Sequence, residues 1–129
     1  NNRSRQVFHN VFQRAKELIY IDSGNSKASG QVICGVRRSG KTFYQPVASL
    51  YPEVLEQTDK FPTELSCAEA SISAPQTIAA NLAAATIVTI HIYNILAEGN
   101  NHSVGKSVFS TKSVNIQSFK KNVKRRKAA

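Results

Sequence analysis

The chain has no methionine, not even at its first position, and only two cysteines in 129 residues. The missing methionine sets the expectation that Asn1 is a cut end, with more protein upstream. Cys34 and Cys67 stand far apart and form no C-x-x-C pair, which excludes a zinc ribbon and a disulfide framework and leaves no metal site to assign. No charged-then-apolar leader opens the chain, so the cytoplasm is the expected location. Aromatic residues are missing from the last nine positions, so the carboxy-terminal tail has no platform for stacking bases.

Acidic residues are also scarce: 8 Asp and Glu against 17 Lys and Arg, a net charge of +9. That balance suggests a nucleic-acid binder until its distribution is read. Lys120, Lys121, Lys124, Arg125, Arg126 and Lys127 crowd into the last ten residues, and the body is only mildly basic. A charge run of this kind is expected to be a solvated, disordered tail over 120–129, able to attract nucleic-acid phosphates weakly and without sequence preference. Hydrophobic residues make up 41%, enough for one domain with a modest core, expected over residues 1–119.

Val7, Phe8, Val11, Phe12 and Ala15 recur at helical spacing between polar neighbours, which predicts an amphipathic helix over 2–17. Leu18-Ile19-Tyr20-Ile21 predicts a short buried strand, stopped by the turn cluster Asp22-Ser23-Gly24-Asn25; Gln31-Val32-Ile33-Cys34 predicts a second. Pro46, Pro52 and Pro62 then predict a mostly irregular stretch over 36–66. From Ser73-Ala74-Pro75 to Gly99 runs the longest helix, where Ile78, Leu82, Ala85, Thr89, Ile92 and Leu96 step by four and three. Ile87, Val88, Ile90 and Ile95 make its other faces apolar, so it is expected at the centre of the fold and nearly surrounded. Asn81, Thr86, Thr89, His91 and Asn94 interrupt its apolarity and argue against a membrane span. Val104 to Phe109 and Val114 to Phe119 flank Ser110-Thr111-Lys112-Ser113 and predict a closing hairpin. The fold class expected is α+β.

One motif carries chemistry by itself. Gly35-Val36-Arg37-Arg38-Ser39-Gly40-Lys41-Thr42 matches G-x-x-x-x-G-K-[ST] and follows a predicted strand. In a phosphate-binding loop of this type, backbone amides and the lysine hold phosphate oxygens and the hydroxyl holds Mg²⁺, so Lys41 and Thr42 are candidate nucleotide ligands. Such a loop also needs a helix beginning at the lysine. Thr42-Phe43-Tyr44-Gln45-Pro46 offers β-favouring residues and a proline instead, so nucleotide binding at Lys41 is not expected. The bland alternative is a mobile basic surface loop.

Several segments, taken in order, resemble a known family. Asn1-Asn2-Arg3-Ser4-Arg5 resembles the end of the D-N-x-x-x-R element of ThiF- and MoeB-like adenylating proteins, relatives of the ubiquitin-activating enzymes. Ile21-Asp22-Ser23-Gly24-Asn25, Ser29-Gly30-Gln31-Val32, Leu50-Tyr51-Pro52-Glu53 and Ser66-Cys67-Ala68-Glu69-Ala70 resemble elements that follow in that family, particularly in PRTRC-system ThiF-type proteins. The paired zinc cysteines of many MoeB-like relatives are absent. The resemblance implies the carboxy-terminal half of a ThiF-like fold. It also implies ATP-dependent adenylation of the terminal carboxylate of a ubiquitin-like protein, in some members followed by thiol attack. Asn1 and Arg5 match the asparagine and arginine near the ATP site, while most of the ATP and Mg²⁺ contacts belong to an amino-terminal half. The isolated chain is therefore expected to be inactive, and to pair with that half or with a second copy of itself.

Other candidates have plainer readings beside them. Cys67 precedes the long helix, whose amides favour thiolate, so it is the candidate nucleophile; a buried structural cysteine is the alternative. Asn1 suits a helix cap, as Glu69 suits the start of the long helix. His91 reads as a hydrogen-bonded core histidine, and Asp22 with Asn25 as turn chemistry.

Overall fold

A computed structural model describes residues 1–56, 77–99 and 104–120. It is an α+β fold. The elements are α1 (Asn2–Arg14), β1 (Leu18–Asn25), β2 (Ser29–Arg38), β3 (Lys41–Tyr44), α2 (Val47–Leu50), a 3₁₀ turn (Pro52–Leu55), α3 (Ile78–Glu98), β4 (Val104–Ser110) and β5 (Asn115–Lys120). All strand pairings are antiparallel, in the order β1-β2-β4-β5. The long β2 is the hub. β1 runs along one side of it, while β4 takes residues 29–33 and β3 takes residues 36–38 on the other.

Alternation along the strands gives each face of the sheet its own cover. Tyr20 is paired with Gly35, and that face receives Phe12 of α1, whose ring lies 6.4 Å from that of Tyr20. Gly35 is required there, because a Cβ would come within 2.9 Å of the Pro46 Cα and 3.1 Å of the Phe12 ring. On the opposite face Val32 and Phe109 pack with Ala80, Ala84 and Ile87 of α3. The sheet is therefore the middle of three layers.

The helix expected over 2–17 stops at Arg14, and Ala15 is already extended. Two bonds hold the chain off the helical path: Arg37 Nε donates to the Ala15 carbonyl at 2.9 Å and the Gly40 amide to the Lys16 carbonyl at 3.0 Å. The turn expected at Asp22–Asn25 is the second half of β1, in register with residues 30–33. Pairing with β2 outweighs local turn preference there, and the Asp22 carboxylate is engaged by Arg5 rather than by its own backbone. The irregular stretch expected from 36 onward contains β3, α2 and the 3₁₀ turn. Pro46 caps α2 and Pro52 opens the 3₁₀ turn, so two of the prolines start short helices. Lys120, expected in the tail, ends β5, and residues 121–129 lie outside the described residues.

The largest correction concerns α3. It is neither central nor surrounded. Ala80, Ala84, Ile87 and His91 form its buried face, while Ile78 and Leu96 are 78% and 80% exposed and Leu82, Ile92 and Tyr93 are also outward. The row stepping by four and three, expected to be covered like the helix's other faces, points away from the sheet. Two of the helix's four buried residues, Ala80 and Ala84, are small, and they pack with Ile87 against Val32 and Phe109.

Candidate functional site

Asn1 and Arg5 lie at the amino-terminal end of α1. The Asn1 side chain accepts a hydrogen bond from the Ser4 amide at 3.1 Å, the geometry of a helix cap. Arg5 reaches the sheet. Its Nε donates to both Asp22 carboxylate oxygens at 2.9 and 3.0 Å, Nη1 donates to Asn2 Oδ1 at 3.1 Å and Nη2 to the Ser23 carbonyl at 3.2 Å. A guanidinium has five N–H groups, so these bonds leave one on each Nη. Gly24 is matched to this seat, since a Cβ there would stand 2.7 Å from Nη2. Tyr20 donates from its hydroxyl to Asp22 at 3.1 Å, and burial, then the Asp22 charge, push the phenol well above its ordinary range. The result is an arginine fixed by its partners beside β1, an outer strand of the sheet among the described residues.

The G-x-x-x-x-G-K-T segment forms a hairpin. Gly35–Arg38 finish β2, Ser39 and Gly40 make a two-residue turn, and Lys41–Thr42 begin β3. Ser39 and Gly40 both have positive φ, 50° and 72°, as a type I′ hairpin turn requires. The turn amides are occupied, Ser39's by the Glu17 carboxylate and Gly40's by the Lys16 carbonyl. Arg37 donates from Nη1 to Thr42 Oγ1 at 3.0 Å and from Nη2 to the Gly40 carbonyl at 2.6 Å. Strand, turn and strand replace the strand, loop and helix of a phosphate cradle. Lys41 and Thr42 are hairpin residues, and a strand stands at the lysine where a nucleotide-binding loop needs a helix.

Cys67 and Glu69 lie outside the described residues. Cys34 is fully buried in β2, and burial pushes its thiol up to about 11, so little thiolate forms near neutral pH.

Sequence reasoning did not find the polar line between α3 and the closing hairpin. His91 Nε2 and Ser107 Oγ lie 3.1 Å apart, and Ser107 Oγ and Ser118 Oγ 2.9 Å apart. His91 and Ser107 are both buried. The signal was the alternation of β4 and β5, which puts the paired residues Ser107 and Ser118 on the face toward α3. Beside them lies a shallow pocket of about 100 Å³, lined also by Ile87, Ile90 and Ile116. His91 is a hydrogen-bonded core histidine. No three of His, Cys, Asp and Glu converge as metal ligands among the described residues.

Comparison with known protein families, curated proteins and solved structures finds no match to this chain.

Proposed function

We propose that this chain is the carboxy-terminal half of a ThiF-type adenylating fold. In this reading it works in the cytoplasm with a nucleotide-binding half on ATP and the terminal carboxylate of a ubiquitin-like protein. The observation that carries the reading is the seat of Arg5. Asp22, Asn2 and the Ser23 carbonyl fix the guanidinium, and one N–H on each Nη remains to meet phosphate oxygens. A flexible arginine would lose more entropy on meeting a phosphate than one already held. The exposed side chains of Val7, Phe8 and Val11 add support, because they form an apolar strip on the same helix that a nucleotide-binding half would cover.

The residues present fit an accessory role toward ATP. Arg5 would hold phosphate oxygens and Asn1 would fix the helix end that carries it, while ATP supplies the group that makes the carboxylate reactive. The protein's own task at this edge is to keep Arg5 in place. Mg²⁺ and most ATP contacts belong to the other half, so the chain alone is inactive. Cys67 remains the proposed thiol for any transfer step, and the burial of Cys34 removes the other cysteine from that role. The basic tail adds at most salt-sensitive contact with nucleic-acid phosphates.

The test is ATP–pyrophosphate exchange by this chain joined to its nucleotide-binding half, with the ubiquitin-like partner present. Exchange should require that partner and fall at least about tenfold in Arg5→Ala, the loss of roughly one charged hydrogen bond. A reductant-sensitive adduct, if one forms, should vanish in Cys67→Ser. No exchange, or full exchange in Arg5→Ala, defeats the reading.

A further inference from the structure

We infer that the face of the β4–β5 hairpin turned away from α3 binds single-stranded nucleic acid, stacking a base on Phe119 and holding the adjoining phosphate with Lys106. The inference stands independently of the adenylation reading. It begins with which side chains share that face. In the register of β4 with β5, Lys106 pairs with Phe119, Val108 with Gln117 and Ser110 with Asn115. Ser107 and Phe109 turn toward α3, so by alternation these six turn the other way. Every residue of β5 is exposed, and Lys106, Val108 and Ser110 are half-buried.

The face brings together a ring, a fixed cation and a polar depression. Phe119 is 48% exposed and offers a surface on which any base can stack. Lys106, directly across from it, is held in place. Its Nζ donates to the Tyr51 hydroxyl and lies 5.0 Å from the centre of the Tyr51 ring, while Tyr51 donates to Gln31 Oε1 at 2.7 Å. An ammonium has three N–H groups, so donors remain for a phosphate oxygen. Cross-strand neighbours stand about 5 Å apart, which lets one nucleotide place its base on Phe119 and its phosphate at Lys106. Next along the hairpin is a shallow depression of about 180 Å³ whose lining includes Val108, Ser110, Ser113, Asn115 and Gln117. Its amides and hydroxyls both donate and accept, as the edges of unpaired bases do. Four residues of strand separate Phe119 from Asn115, about 14 Å, enough for a run of a few nucleotides.

Charge selects this occupant. From Gly99 to Ala129 the sequence holds no Asp or Glu, and Lys106, Lys112 and Lys120 stand along the hairpin itself. Lys27 adds a fourth cation near the β4–β5 turn, because the Thr111 amide there donates to the Ala28 carbonyl at 2.8 Å. The basic tail has no ring of its own, and this face supplies one just before it. Two other anionic occupants fit less well. A lipid surface is entered by a wide apolar patch, and this face offers only Phe119 and Val108. An acidic peptide answers the lysines alone, whereas a nucleotide answers the ring and the amides as well.

The test uses the full chain, which has no tryptophan. Phe119→Trp therefore places a single fluorescent reporter on the face. Its emission should be quenched by oligothymidylate or oligouridylate, whose relative affinities tell DNA from RNA, and should not change with heparin, a polyanion without bases. In fluorescence anisotropy with the labelled oligomers, Phe119→Ala should weaken binding about tenfold and leave the slope of log affinity against log salt unchanged, because stacking releases no counterions. Lys106→Gln should weaken binding and lower that slope by about 1. Replacing Lys124, Arg125, Arg126 and Lys127 by serine should lower the slope too, and leave the tenfold effect of Phe119→Ala in place. Quenching by heparin equal to that by the oligomers, or unchanged affinity in Phe119→Ala, would mean charge attraction alone and overturn the inference. So would binding to phosphatidylserine vesicles or to polyglutamate that depends on Phe119 as strongly as binding to the oligomers does.

Discussion

Replacing Arg37 by alanine should destabilise the protein far more than replacing Lys41, the residue its sequence motif singles out. Arg37 ties three pieces of chain together: the end of α1 through the Ala15 carbonyl, the turn through the Gly40 carbonyl and β3 through Thr42 Oγ1. Its guanidinium also lies 5.9 Å from the centre of the Phe12 ring. Hydrogen bonds from a charged donor contribute about 1.5–3 kcal/mol each, but this group is partly exposed and water replaces some of what is lost. A net cost of about 2–3 kcal/mol follows for Arg37→Ala, while exposed Lys41→Ala should stay within about 0.5 kcal/mol. With a urea m-value of about 1–3 kcal/mol/M, the midpoint for Arg37→Ala falls by roughly 0.7–3 M. Arg37→Lys should recover little, because an ammonium cannot span three acceptors as the planar fork does. Urea unfolding followed by circular dichroism measures all three variants, and a Mg-ATP titration of the parent and Lys41→Ala completes the comparison. The reasoning is refuted if Lys41→Ala costs as much as Arg37→Ala, or if the isolated chain binds ATP at micromolar affinity and Lys41→Ala abolishes it.

Phe12→Ala should cost about 3–5 kcal/mol in the same assay, because the ring is wholly buried, whereas Phe8→Ala, 53% exposed on the same helix, should cost about 1 kcal/mol. Val114 has a φ of +50° and is 91% exposed, so Val114→Gly should stabilise the protein by about 1 kcal/mol by removing left-handed strain without losing packing. Cys34 has a raised pKa, so its contribution to stability is complete below pH 9, where the unfolded thiol is still protonated, and is lost as pH rises toward about 11. Between pH 8 and 10.5 the parent should therefore lose roughly 2 kcal/mol more stability than Cys34→Ala; equal losses would mean that the buried thiol does not control this window. Tyr20 adds a loss above pH 10 common to both proteins.

Much of the fold could be read from periodicity, and the errors have identifiable causes. The helix of Val7, Phe8, Val11 and Phe12, the strand at Val32 and the closing hairpin are where the pattern put them. Pattern alone could not say which face of α3 turns inward, since apolar residues surround the helix and the choice is made by packing against Val32 and Phe109. The prolines misled because Pro46 and Pro52 begin helices too short to show a period. At the candidate site, Arg5 was visible through the D-N-x-x-x-R resemblance, but its partners were not: Asp22 read as turn chemistry until β1 placed it under α1. The phosphate-loop letters misled for the opposite reason. They describe spacing along the chain, and the Arg37 bonds within a hairpin satisfy the same spacing.

The double occupancy of one side of β2 also sets an order of assembly. β1, β2 and β3 lie within residues 18–44, so this meander can close as soon as its own turns form. The other part of that side, residues 29–33, must wait for β4, whose Phe109 pairs with Gly30 across 79 positions of sequence. On a growing chain the meander and α1 leave the ribosome before α3 and β4, with Val32 uncovered and half an edge unpaired until those elements arrive. Closing so long a loop is slow compared with forming a hairpin. Refolding should accordingly separate a fast phase that buries Phe12 from a slower one that buries Val32, and the interval between them is when this chain is most exposed to pairing with the wrong strand.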